Sequence, residues 1–190
     1  GVHIRSDFVP TLRRVAIGYA LAVSVGVGVG LALGSSRTLR RAFEPVLELI
    51  RATPGIAIIP ISMLIFGFDD TQKAFVIAFV CVWPILLNTT EGVRGIDRSF
   101  YDAAAIYGFR KRDRLFRVTL PGAAPQMFAG LRVALAQALL VAVVAELFAS
   151  RDGVGFFIGF TQQTFRIPDM WSGILVLALS AYLVNLLFVM

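Results

Sequence analysis

The chain is short of charge, of cysteine and of histidine, and each shortage removes a class of function. Charged residues make up 16% of its 190 positions, whereas a soluble domain carries roughly a quarter. There is too little water-facing material here to coat a soluble globule. The single cysteine, Cys81, lies inside an apolar run, so no internal disulfide can form and nothing points to thiol chemistry. The lone His3 has no second ligand near it and reads as an ordinary terminal residue, not a metal site. There is no Gly-x-x-x-x-Gly-Lys-Ser/Thr phosphate loop, so the chain has no ATPase site of its own. No His/Cys/carboxylate cluster and no nucleophile beside a base marks it as an enzyme.

What is abundant is apolar. With 57% hydrophobic residues, the chain contains four or five runs near the roughly 20 residues that cross a bilayer as a helix. A spanning segment must satisfy its own backbone hydrogen bonds, so the expected fold class is all-α, a polytopic transmembrane helical bundle. The net charge of +6 fits loop arginines better than nucleic-acid binding. The chain starts at Gly1 without a methionine and stops at Met190 within an apolar run, and the expectation is of a longer protein truncated at both ends.

Five spans are predicted: about Val15 to Leu33, Val46 to Phe66, Ala74 to Leu87, Met127 to Phe148, and from Trp171 onward. The third is short, and its true ends are expected to reach Gln72 and Thr90, with Trp83 and Pro84 near its end. In the first, Gly18, Ala22, Gly26, Gly30 and Gly34 recur every four residues and line one ridge with small side chains. Such a ridge lets helix backbones approach closely in lipid; a dinucleotide fingerprint would need another spacing and a preceding strand. The second carries Pro54 and Pro60, which free backbone carbonyls. Two readings stand there: a packing kink, or a distorted helix beside a translocation path.

Orientation follows from the basic residues. Placing 34–44 and 91–126 in the cytoplasm puts Arg37, Arg40, Arg41, Arg94, Arg98, Arg110, Lys111, Arg112, Arg114 and Arg117 inside. Arg5, Arg13, Arg14, Lys73, Arg151 and Arg166 then lie outside, an asymmetry of the expected sign. The segment 149–170, between the last two spans, is expected to face outward and to be partly interfacial.

The loop 91–126 is punctuated beyond what topology needs. Ser99 with Asp102 three residues on resembles a capping box, and Ala103, Ala104 and Ala105 are strong helix formers. Gly108 offers a left-handed stop, and a second short helix over Arg112 to Val118 is expected to end at Pro121. Attraction of its arginines to anionic headgroups, about 1 kcal/mol each near the surface, would not explain the alanine and glycine spacing.

These residues resemble the EAA loop of ABC-importer permeases. That pattern is Glu-Ala-Ala, three residues, Gly, nine residues, Ile-x-Leu-Pro; here it reads Asp102-Ala103-Ala104, Gly108 and Val118-Thr119-Leu120-Pro121. Asp replaces Glu and Val replaces Ile, with the spacing kept. Further stretches, TPGIAIIPISMLIFG (Thr53 to Gly67), WPILLNTTEGV (Trp83 to Val93), LPGAAPQMFAGLRVALAQALLVAVVAEL (Leu120 to Leu147) and DGVGFFI (Asp152 to Ile158), are similar to the nitrate/sulfonate/taurine branch. The resemblance implies a type I ABC importer permease, about five spans visible of about six. Residues 1–190 would form one permease domain in the cell membrane, with 91–126 as its cytoplasmic coupling loop. It also implies the partners: two cytoplasmic ATP-binding subunits, a second permease copy (itself or a close paralogue) and an external solute-binding protein. ATP and Mg would be used by the partner ATPase, with no cofactor bound by this chain. Asp102, Ala103, Ala104, Gly108, Arg110, Arg112, Leu120 and Pro121 are the expected coupling positions. The implied substrate is a small oxyanion such as nitrate, a sulfonate or taurine, although similar permeases serve thiamine- or riboflavin-type precursors.

Gln137, Pro60, Trp83 and Asn88 are the pathway-lining candidates. Nine residues separate Gln137 from Glu146, about 900° of helix, so the two side chains face opposite ways. Glu146 is expected to pair with an arginine, Arg151 or Arg166, or to sit where the binding protein docks. The rival is an ion-coupled secondary carrier or channel, which would place ionisable groups deep in its spans or show inverted repeats; neither is visible here.

Overall fold

The structure, a computed structural model, describes residues 7–187; His3 and Arg5 lie outside the described residues. All regular elements among the described residues are helical: α1 (Val9–Ser35), α2 (Arg37–Ala52), α3 (Ile58–Phe66), α4 (Asp70–Arg94), α5 (Arg98–Ile106), α6 (Lys111–Arg114), α7 (Leu120–Ala149), α8 (Val154–Gln163) and α9 (Ile167–Leu187). Three stretches among them are long and apolar enough to cross a membrane: α1, α4 and the continuous run Lys111–Phe148. The α2–α3 pair makes a fourth if counted as one broken span, and Ile167–Leu183 is a shorter apolar helix. The chain is therefore a multi-pass membrane protein, with fewer full-length spans than the five the apolar runs suggested.

The differences from the sequence reading have local causes. The second span is broken, because Pro54 cannot donate a hydrogen bond and disfavours helical geometry at Thr53. The chain resumes with a single 3₁₀ turn over Gly55–Ala57 before α3. The third span is 25 residues long, so Trp83 and Pro84 stand in its middle and not near its end. Asp70 in its first turn and Arg94 in its last match the helix dipole. The short helix expected to stop at Pro121 instead runs into α7 through a π-helical turn, Leu115–Thr119. In that wider turn the Leu120 N–H bonds the Leu115 carbonyl five residues back, and the chain passes the proline unbroken.

The chain divides into two compact units, and each of the three long helices contributes a segment to both. The first unit comprises residues up to Ala22, Thr53–Cys81 and the chain from Ala134 on. Here α1 meets α4 at Gly18, where an added Cβ would stand 2.7 Å from that of Ile77. The buried Cys81 thiol donates to the Ala134 carbonyl at 3.3 Å, tying α4 to α7. Helices α8 and α9 form a hairpin whose turn places Phe165 at φ 55°, with the Arg166 N–H closing onto the Thr161 carbonyl at 2.9 Å.

The second unit comprises Val23–Ala52 and Val82–Val133. The small-residue ridge continues in it as expected: an added Cβ would lie 2.9 Å from Ile85 at Gly26, 2.6 Å from Thr89 at Gly30 and 2.6 Å from Val93 at Gly34. Each partner lies 59 residues further along (18 to 77, 26 to 85, 30 to 89, 34 to 93), so α1 and α4 run parallel. On another side of α4, Gln126 of α7 donates to Asn88 at 2.7 Å.

Candidate functional site

The expected coupling positions fall on α5, the glycine turn after it, α6 with its cap, and the start of α7. Helix α5 is capped by Asp97, not by Ser99 and Asp102 as the capping box predicted. The Asp97 carboxylate accepts the Ser99 N–H at 2.8 Å, which holds that carboxyl below the usual carboxylate range. An aspartate reaching two residues forward caps as well as a serine would, and the helix accordingly begins two residues earlier, at Arg98. Asp102 and Ala103 consequently stand inside α5, exposed, while Ala104 is buried.

The stop at Gly108 is as expected. Its φ is +68°, the Phe109 N–H bonds the Ala104 carbonyl at 2.9 Å and the Gly108 N–H bonds Ala105 at 3.0 Å. This is the paired-bond arrangement by which a left-handed residue closes a helix. Beyond it, Arg110 caps α6 with its backbone N–H donating to Asp113 at 3.3 Å. Arg112 and Arg117 lie over the rings of Phe116 and Phe109 at 5.9 and 5.6 Å. Tyr101 and Thr119 hydroxyls meet at 3.2 Å, holding α5 to the π turn. Leu120 is half-buried and Pro121 exposed; Pro121, Phe100 and Val118 line a cleft of about 440 Å³ beside α5. The tip of this pair shows Ile106 and Tyr107 to solvent, 85% and 79% exposed.

A second constellation lies in the first unit; of it, the sequence indicated only that Glu146 pairs with an arginine. Arg14 of α1 is 3% exposed and Glu146 of α7 is 1% exposed. The Arg14 guanidinium donates to Glu146 at 2.8 Å, to Asp70 at 2.6 Å and to Asp152 at 2.5 Å, while Arg13 also pairs with Asp70. The Thr11 hydroxyl stands 2.9 Å from both Glu146 oxygens and accepts the Val154 N–H at 3.0 Å. The Gly155 N–H donates to Glu146 at 2.9 Å. Gly153, at φ +105°, leaves room that a side chain would take from the carboxylate. Glu146 thus does pair with an arginine, but with Arg14 and not with Arg151 or Arg166. Arg151 is exposed, and Arg166 pairs with its neighbour Asp169 at 2.5 Å. The available signal was an arginine at the mouth of one apolar run with carboxylates at the same-side ends of two others. A cavity of about 870 Å³, lined by Arg14, Asp70, Lys73, Arg151 and Asp152, opens beside this cluster.

Of the pathway candidates, Gln137 and Pro60 belong to the first unit, Trp83 and Asn88 to the second. Gln137 is half-buried and its Oε1 has no hydrogen-bond partner among the described residues; Pro60 is exposed. Asn88 is engaged, donating to the Pro84 carbonyl at 2.8 Å and accepting from Gln126.

The chain is 38% identical over 148 residues to the nitrate import permease protein NrtB of Synechococcus elongatus, covering 78% of this chain and 53% of that protein. It is 32% identical over 168 residues to the aliphatic sulfonates transport permease SsuC of Bacillus subtilis, covering 88% and 61%. The bicarbonate transport permease CmpB of Synechococcus elongatus is 33% identical over 163 residues, covering 85% and 59%. The chain thus spans a little over half the length of these relatives. Its fold is that of a chain in the MetNI methionine ABC transporter, with a TM-score of 0.81 over 97% of this chain and 92% of that one, at 17% identity. Residues 24–190 match the family described as binding-protein-dependent transport system inner membrane component, and the chain belongs to that family.

Proposed function

We propose that this chain is the permease subunit of an ATP-driven importer, with α5, Gly108 and α6 as the element that docks on a cytoplasmic ATPase. The observation that carries the reading is the turned helix pair with Ile106 and Tyr107 exposed at its tip. A segment outside the spans gains nothing from exposing two large apolar side chains unless a partner covers them. The partner ATPase supplies the nucleotide site and uses ATP and Mg. A second permease copy completes the path, and an external binding protein delivers the solute. Loop 91–126 lies in the cytoplasm.

The substrate is a small oxyanion, since the relatives are named for nitrate, sulfonates and bicarbonate. Such an anion favours Gln137 over Glu146 as a path-lining group, because a carboxylate would repel it. The test is uptake by proteoliposomes holding the full-length protein with its ATPase and binding protein, offered nitrate, an alkyl sulfonate or bicarbonate. Uptake that requires ATP inside the complex is expected. Uptake driven by an ion gradient without ATP would favour the secondary-carrier alternative.

A further inference from the structure

Five arginines of the second unit gather at one place that the coupling reading leaves unused. Arg37, Arg40 and Arg41 of α2 face Arg94 and Arg98, lining a cavity of about 620 Å³ with no acidic residue among the described residues of its wall. Arg94 is paired with Glu91 at 2.5 Å. The other four make no ion pair among the described residues, so their charge is open to a ligand.

Where the cavity lies decides which ligand. Its rim includes Gly34 and Ser35 at the end of α1 and Val93 and Arg94 at the end of α4. Two parallel membrane-capable helices end there, which sets the cavity at the depth of the lipid headgroups. Helix α2 is divided along its length. Leu39, Phe43, Val46 and Ile50 fall on one face and Arg37, Arg40, Arg41, Glu44 and Glu48 on the other, by the 100° step of a helix. The apolar face is exposed among the described residues, with Leu39, Phe43 and Val46 44%, 50% and 49% exposed. A helix of this kind lies along the bilayer boundary with its apolar face among acyl chains.

We infer that this cavity binds the phosphate headgroup of an anionic phospholipid, with Arg37, Arg40 and Arg41 as its donors and the apolar face of α2 against the lipid's chains. Guanidinium forks match phosphate oxygens in pairs of hydrogen bonds, and basic pockets between spans are suited to such headgroups. A soluble acidic surface could satisfy the charge but not the apolar face beside it.

The test uses the full-length protein with Cys81 replaced by alanine and a fluorophore on Thr38→Cys, which is exposed on α2. Quenching by dibromo-phosphatidylglycerol is compared with quenching by dibromo-phosphatidylcholine in mixed vesicles. The anionic lipid is expected to associate about ten-fold more strongly or better. The triple variant R37Q/R40Q/R41Q should bring that preference close to one, and R37K/R40K/R41K, which keeps the charge without the paired hydrogen bonds, should restore part of it, which separates lost charge from lost folding. A label at Ile65→Cys, in the other unit, should show no preference. Inorganic phosphate added to millimolar levels tells the sources apart: competition means a free phosphate site and overturns the lipid assignment. Equal quenching by the two lipids at Thr38→Cys, or complete loss of the preference on adding the partner ATPase, would also overturn it.

Discussion

At Glu146 a carboxylate with under one-hundredth of its side chain exposed is held by Arg14, Thr11 and the Gly155 N–H. Such a group contributes through the cost of leaving its partner bare. Glu146→Gln keeps the shape and one acceptor but strands part of the Arg14 charge, so a loss of about 3 kcal/mol is expected in unfolding titrations of the purified protein. A silent variant would show that Asp70 and Asp152 suffice. Gly108 is a different kind of residue. Nothing lies within 4 Å of the position a Cβ would take there, so its cost on substitution is conformational, about 1 kcal/mol. Gly108→Leu should leave the fold intact and abolish ATPase copurification and uptake. Gly108→Asn, which tolerates the left-handed region, should retain most of both. Normal copurification and wild-type uptake in Gly108→Leu would remove the docking role.

Among the elements, the α1–α4 seam gives a paired prediction. Gly30→Val must push against Thr89 and the Leu86 carbonyl, 2.6 and 2.9 Å from the added carbon, and should cost about 1–3 kcal/mol. Gly28→Ala faces open space and should be neutral; thermal unfolding of both variants in detergent checks this. The seam was legible in sequence because its period is local, and so was the helix stop at Gly108. The cap of α5 was misplaced by two residues because Asp97 and Ser99 are both good caps and only the backbone path chooses between them. The break after α2 was open to two readings for the same reason: a proline shows that a bond is lost but not where the chain resumes. Of the cluster around Glu146, only its pairing with an arginine was legible, not which arginine or the other members. It joins Thr11, Arg14, Asp70 and Asp152, residues whose proximity depends on how three helices are brought together.

At the scale of the whole molecule, sidedness is the first thing to measure. Arg112→Cys in a Cys81-free protein should resist membrane-impermeant labelling in intact cells and react after permeabilisation, if loop 91–126 is cytoplasmic. Gln137→Leu should lower uptake without lowering stimulated ATPase activity, whereas equal loss of both would assign Gln137 to helix packing. The parallel course of α1 and α4 carries one more consequence. Both helices repeat their contact residues every four positions, glycine or alanine on one side and mostly branched side chains on the other. A comb of that kind fits itself again after a slip of four residues, about 6 Å. The teeth therefore hold the two helices together but do not say which notch is correct. That choice falls to Arg13 and Arg14, clasping Asp70 at the head of α4: the ion cluster is the index mark on an otherwise repeating scale.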